Sequence, residues 1–393
     1  MPRAKTCMAL NVDFCHAAYV PERTEGISKG IYNLAIFLSR LGISVKLRAP
    51  QVKIEQLNRK SNYFIWGIDY IRSIWAANEE ADIIHCHLTV AGFGIFARLA
   101  KLLRPLKKSK SLIAHLWGPY YEENSRHEFS APSSELMYHR IFNSRIAAKI
   151  GLKGLPTVVV GSEFLKRQVQ NLGLREVFHI PNGVDVEKYT PPEQLEKTEL
   201  RKRLNIGEEE KVVLYHGHTK STKGLDDLIV SFSHVLKEFP RCKLVIARTG
   251  LGTEEQKLRR IVGSLHLDNK VIFFWKTFIP ELIKSADIGV IPMTTPVGTA
   301  SHSSSLLEFL SCGIPVVATE VGSNGEVVQH DKNGYLVRPR SPTMMASAIL
   351  RLLESEDDCK RFAVRGRKLA EEQFDWRRIA KRVTELYDRL AEA

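Results

Sequence analysis

Along the first half of the chain, short β-branched and apolar runs alternate with stretches whose apolar positions recur every three or four residues. "TCMALNVDF", "SVKLRAP", "DIIHCH", "SLIAHLWG", "TVVVGS" and "EVFHIP" read as strands, and segments between them such as "GIYNLAIFLSRLG" read as amphipathic helices. That rhythm predicts an α/β domain with a parallel, doubly wound sheet. "IPNGVDVEKYTPPEQ" then gathers Pro, Asn and Gly, and the rhythm restarts with "KVVLYHG", "KLVIAR", "KVIFFW", "IGVIPM", "PVVATE" and "GYLV". A second Rossmann-like sheet is therefore predicted, with the boundary near Tyr189 to Glu193. The expected domains are 1–190 and 191–373. Residues 374–393, containing "FDWRRIAKRVTELYDRL", form a helix with more apolar face than a free end needs, expected to cross back onto the first domain.

Length and composition fit this picture: 393 residues exceed what one core usually supports, and 44% apolar with 26% charged residues is ordinary globular protein. Met1 to Leu10 lacks an apolar core with a cleavage site, and no stretch approaches the roughly 20 apolar residues of a membrane span. The expectation is a cytoplasmic protein. Six scattered cysteines without C-x-x-C pairing argue against a disulfide framework or structural zinc.

Charge changes the picture more. Of the net +13, the chain up to Thr190 carries +10, from 26 Lys and Arg against 16 Asp and Glu. Its densest cluster, "KLLRPLKKSK" from Lys101 to Lys110, follows the helical pattern "TVAGFGIFARLAKLL". Such a run reads either as a solvated helix end or as a patch for anionic lipid or a phosphorylated acceptor. Without interleaved aromatics or a nucleic-acid module, nucleic acid is not expected as a partner.

Ligands of open parallel sheets bind at the carboxyl ends of the strands, so two such sheets leave a cleft between their carboxyl edges, where the chemistry is expected. There "IGVIPM" leads through "TTPVGTASHSS" into the short helix "SSLLEFLSCG". A helix start lined by Ser303, Ser304 and Ser305 exposes backbone N–H groups that suit a diphosphate. Glu308, about one turn inside, suits a ribose diol; in the alternative reading the serines only cap the helix and Glu308 meets its dipole. "LYHGHTKSTKGLDDLI" ends a strand at Gly217 and opens a helix after Lys223-Gly224, from which the lysine could reach the same diphosphate.

Taken together, these pieces resemble the retaining, nucleotide-sugar-dependent glycosyltransferases of the two-domain GT-B type, the group 1 (family four) set, over nearly the whole chain. The resemblance implies a glycine-rich turn at Gly26, the family's D-h-h-H-x-H at "ADIIHCH", and its interdomain segment at "VVVGSEFLKRQVQNLGL" and "VFHIPNGVDVEKYTP". It implies a base-binding wall at Phe274, Trp275 and Lys276, and the second acid of E-x7-E at Glu308. Donor binding is thus expected from Gly26, Gly217, Trp275, Lys276, His302, Ser303, Ser304, Ser305, Leu306 and Glu308, and catalysis from Lys223, His218 and His115.

Three departures stand out. The first acid of E-x7-E falls at Ala300, leaving the sugar contact missing or supplied by His302 or Ser303. The usual phosphate-clamp arginine is His218. The first domain's usual H-G aligns with Trp117-Gly118, with His115 two residues earlier on the same strand face, where it reads equally as a core histidine. No D-x-D motif occurs, and neither metal nor cofactor is expected. The resemblance implies a nucleotide-diphosphate sugar donor, with retention. The basic first domain suggests a glycan, polysaccharide-precursor or lipid-linked acceptor and a peripheral place at the anionic inner membrane face. Two rivals are a catalytically lapsed relative that binds without turnover and a dinucleotide oxidoreductase at "GFGIFA", which lacks an acid about 20 residues on to hold a ribose.

Overall fold

The computed structural model describes residues 10–16, 26–48, 63–89, 91–107, 111–118, 141–142, 144–248, 254–275, 279–296 and 299–392. The chain divides into two compact units, residues 1–181 with 376–393, and residues 182–375.

The first unit runs β1 (Asn11–His16), α1 (Gly26–Arg40), β2 (Ser44–Arg48), α2 (Tyr63–Glu80), β3 (Ile83–Leu88), α3 (Gly94–Leu103), β4 (Ser111–Leu116), α4 (Arg145–Leu152), β5 (Thr157–Val160), α5 (Glu163–Gln170) and β6 (Phe178–His179). The six strands pair in parallel in the order β2-β1-β3-β4-β5-β6. Register sets Phe14 beside His85 and His87 beside His115. Period-two alternation therefore puts Phe14, His85, His87 and His115 on one face, and Cys15 and Cys86 on the other with Tyr70 of α2. On that reverse side α2 packs on α3 and α3 on α4. The last contact is close: a Cβ on Gly94 would come 2.5 Å from the Gly151 carbonyl oxygen, so the glycine permits the helix approach. This accounts for the glycine of "GFGIFA" by packing alone.

The second unit runs α6 (Gln194–Arg203), β7 (Lys211–Gly217), α7 (Leu225–Glu238), β8 (Cys242–Arg248), α8 (Glu255–Ser264), β9 (Val271–Trp275), α9 (Ile279–Ser285), β10 (Ile288–Ile291), α10 (Ser304–Ser311), β11 (Val316–Thr319), α11 (Asn324–Val327), β12 (Tyr335–Val337), α12 (Pro342–Glu354) and α13 (Glu356–Leu369). Its sheet is also parallel, in the order β12-β11-β10-β7-β8-β9. Val212 and Leu214 enter one apolar cluster, Val213 and Tyr215 another. A strand with a core on each side must be apolar nearly throughout, which is why "KVVLY" reads as a continuous run.

After α13 a π-helical turn, Ala370–Phe374, leads to α14 (Trp376–Glu392), which belongs to the first unit. Its buried Ile379, Ala380, Val383, Leu386 and Tyr387 join α1 over the histidine face. Tyr387 Oη lies 2.7 Å from His85 Nδ1, and the Ser111 hydroxyl donates to the Leu390 carbonyl at 3.0 Å. The expected return of the last helix to the first sheet is what the structure has. No helix among the described residues is long and apolar enough to cross a membrane.

Candidate functional site

The carboxyl edge of the second sheet collects most of the residues singled out in the sequence. Strand β7 ends at Gly217, whose φ is +148°. Tyr215 Oη then donates to the His218 carbonyl at 2.5 Å, curling the loop back over the strand. One 3-10 turn, Ser221–Lys223, brings the chain to Gly224 at φ +66°. A Cβ on Gly224 would stand 1.9 Å from the Pro292 carbonyl oxygen, so only glycine lets this loop lie against the end of β10. There the Thr294 amide donates to the Thr222 carbonyl at 3.1 Å. Lys223 and His218 are half-buried at this edge, and the buried Thr219 hydroxyl has no hydrogen-bond partner among the described residues.

Beyond β10 the chain reaches the start of α10. Ser303 occupies the N-cap position, yet no side chain caps the helix. The Ser305 hydroxyl instead donates to the His216 carbonyl at 3.0 Å, and that of Ser304 accepts from Asn182 Nδ2 at 3.2 Å. The serines therefore do not cap the helix, and the first-turn amides of α10, the positive end of its dipole, have no side-chain acceptor among the described residues. Leu306 is fully buried and serves the core.

Glu308 is buried, its side chain only 4% exposed, with His216 Nε2 3.6 Å from its carboxylate. The Tyr189 hydroxyl hydrogen-bonds to it; burial first, and then the charge of Glu308, push that phenol well above its usual range. The interdomain segment thus acts as a scaffold. Asn182 Nδ2 also donates to the His302 carbonyl at 3.1 Å, at the head of α10, and the Ser311 hydroxyl donates to the Tyr189 carbonyl at 2.6 Å, at its tail. Arg367 from α13 donates to the carbonyls of both Tyr189 and Ser311 at 2.7 Å. The signal for these residues was present in "PNGVDVEKY", but nothing in the sequence says what they touch.

Ala300, at the place where the resembled family carries its first acid, is buried. Two residues on, His302 is 3% exposed, its Nε2 3.2 Å from Glu326 of α11 and its ring edge-on to Phe374 at 5.1 Å. Glu326 was not singled out in the sequence. Phe274 packs against an apolar cluster of the sheet; the Trp275 side chain and Lys276 lie outside the described residues.

The first-unit residues fall elsewhere. Gly26 opens α1, and residues 17–25 before it lie outside the described residues. His115 is 3% exposed, stacked on Trp117 with ring centroids 4.5 Å apart, and its Nδ1 is 3.2 Å from His85 Nε2. Trp117 Nε1 donates to His87 Nδ1 at 3.0 Å. Ligand nitrogens of His85, His87 and His115 lie within 4.8 Å of one another. The planes of His85 and His87 differ by 15° and those of His85 and His115 by 17°, so their in-plane lone pairs run side by side rather than converging, and one nitrogen pair already bonds internally. This trio fits an aromatic core better than a metal. Burial lowers the pKa of all three, that of His115 to about 3, so they stay neutral.

Two Rossmann-like parallel sheets, the second bearing an uncapped helix start, a lysine loop and a buried glutamate at its carboxyl edge, are the architecture of the GT-B class of glycosyltransferases. Residues 196–369 match the family described as "Glycosyl transferases group 1", and residues 24–188 match "Glycosyltransferase Family 4". The chain belongs to the group 1 glycosyltransferases. It is 28% identical over 315 residues to N-acetyl-alpha-D-glucosaminyl L-malate synthase of Bacillus anthracis, covering 79% of this chain and 76% of that one. It is 27% identical over 224 residues to D-inositol 3-phosphate glycosyltransferase of Xylanimonas cellulosilytica, covering 54% of this chain and 51% of that one. Two solved structures share the fold. Sucrose-phosphate synthase from Thermosynechococcus elongatus has a TM-score of 0.77 at 17% identity, covering 97% of this chain and 99% of that one. Anabaena HepE in complex with UDP-glucose has a TM-score of 0.73 at 20% identity, covering 96% and 99%.

Proposed function

We propose that the protein transfers a hexosyl group from a nucleotide-diphosphate sugar to a glycan, polysaccharide-precursor or lipid-linked acceptor, with retention at the anomeric carbon and without a metal. In this step the bond from the anomeric carbon to the diphosphate oxygen breaks, a bond to the acceptor hydroxyl oxygen forms on the same face, and the hydroxyl proton passes to the departing diphosphate. Positive charge grows on the ring and negative charge on the leaving diphosphate, so the main task of the protein is to stabilise that anion with groups fixed beforehand.

One observation carries the reading. The hydrogen bonds Ser305 to His216 and Thr294 to Thr222 draw the uncapped start of α10 and the loop from Gly217 to Lys223 to one edge of one sheet. Amide dipoles, the Lys223 ammonium and the His218 imidazole can then share a diphosphate. Glu308, fixed by Tyr189 beside His216, takes the ribose diol. His302, braced by Glu326, stands in for the acid absent at Ala300 and meets the transferred sugar. Gly26 and the Trp275 to Lys276 stretch are assigned to the donor by resemblance alone. His115 is assigned a supporting place beneath the acceptor end of the first sheet. The bland surroundings expected for the protein are the cytoplasm and the inner membrane face.

The test is release of nucleoside diphosphate from a panel of nucleotide sugars. Turnover with at least one donor is expected, abolished in the Lys223→Ala, Glu308→Ala double variant. Saturable binding with no release, or undiminished turnover by the double variant, would overturn the proposal.

A further inference from the structure

The reverse side of the first unit carries a surface that the donor chemistry does not use. Among the described residues, exposed large apolar side chains gather there: Leu99, Leu102 and Leu103 on α3, Ile146 and Ile150 on α4, and Ile141 just ahead of it. Leu102 is 71% and Ile146 73% exposed. The inner face of α4 is what a core needs, with Ala147, Ala148, Gly151 and Leu152 all buried. Its outer face reads Arg145, Ile146, Lys149, Ile150 and Lys153, apolar and cationic side chains in turn where a water-facing helix carries mixed charge.

Charge complements this apolar content. Between Ala91 and Gly118, and between Ile141 and Ser162, the sequence contains no Asp or Glu. Arg104 and Lys107 turn back to Glu79 of α2. Lys101, Arg145, Lys149 and Lys153 have no carboxylate within ion-pair distance among the described residues. The two helices form a stiff pair, because Gly94 and Gly151 bring their backbones together and the Arg98 guanidinium donates to the Ile150 carbonyl. Leucines and isoleucines standing out among cations that have no carboxylate partner among the described residues, on helices too short to span a bilayer, match a surface that lies in the headgroup layer.

We propose that the outer face of α3 and α4 docks on a bilayer carrying anionic phospholipid. The cations meet headgroup phosphates and the leucine and isoleucine side chains enter the boundary of the acyl region. This deepens the membrane-facing part of the proposed function and is independent of the donor reading, since none of these residues lies in the second unit.

The full chain is sedimented with phosphatidylcholine vesicles with and without phosphatidylglycerol. Binding is expected only where phosphatidylglycerol is present, and it should weaken as salt is raised. The double variant Lys149→Glu, Lys153→Glu should lose at least about tenfold in affinity, and Leu102→Ser with Ile146→Ser should lose a comparable factor at unchanged charge. These substitutions are at exposed positions, so the thermal midpoint serves as a folding control. Equal binding to both vesicles, absence of binding to either, or variants that bind as the parent does would each overturn the proposal. So would sedimentation equilibrium showing a dimer that the Leu102 and Ile146 changes dissociate, because a second copy would then be the occupant. Release of nucleoside diphosphate from a soluble donor, read in the same variants, should stay unchanged, which separates failure here from failure of the donor site.

Discussion

Lys223 separates positioning from chemistry better than any other side chain of the site. An ammonium that matters only as the diphosphate departs should affect kcat more than KM, so Lys223→Ala is expected to lower kcat by about 10²–10³-fold. Steady-state kinetics with the best donor checks this; an equal rise in KM at constant kcat would make Lys223 a ground-state binder. The buried histidines give a second residue-scale expectation. His115 has its pKa depressed to about 3 by burial, below the value of about 6.5 in an unfolded chain. As pH falls through that window the unfolded state takes up protons that the folded state refuses. Stability is therefore unaffected above about pH 6.5 and falls below it, by about 1.4 kcal/mol per pH unit for each such histidine. Urea melts between pH 7 and 4.5 should show that slope, reduced by about one histidine in His115→Leu. At this scale residue type and spacing marked Lys223 and Glu308, which the fold brings to the same end of the second sheet, one in the loop after β7 and the other beside His216. The sequence was silent on Glu326, 24 residues from the histidine it pairs with, and on Tyr189, because contacts made by folding leave no local pattern.

The strands were the most legible elements. All twelve runs named in the sequence correspond to strands; the inner strands, buried on both faces, are apolar nearly throughout, whereas the edge strands β2 and β6 are largely exposed. Helix α6, "QLEKTELRKR", was not legible, having only one buried residue, Arg201. It is held by ions rather than an apolar stripe. Asp287, just ahead of β10, accepts from Lys197 Nζ at 3.0 Å and from the Val212 amide at 2.7 Å, and also from Arg201 at 2.5 Å. Removing one partner of a buried cluster leaves the others desolvated and uncompensated, at a cost of about 3–5 kcal/mol. Asp287→Ala is expected to destabilise the second unit by that amount in denaturant melts, and hydrogen exchange should rise first across α6. A loss below about 1 kcal/mol would show the cluster to be screened like a surface pair.

For the molecule as a whole, the two units differ in how the chain builds them. The second is one unbroken segment, 182–375, whereas the first needs residues from both ends of the sequence, with Tyr387 bonded to His85 and Leu390 to Ser111. The amphipathic tail made that return legible. During synthesis, residues 376–392 leave the ribosome only after all of 182–375. The amino-terminal half thus waits, its histidine face bare, while the middle of the polypeptide matures, reversing the usual vectorial order. A chain ended at Asp375 should keep slow amide exchange in 182–375 and lose it in 1–181, and a synthetic peptide of 376–393 added in trans should restore it.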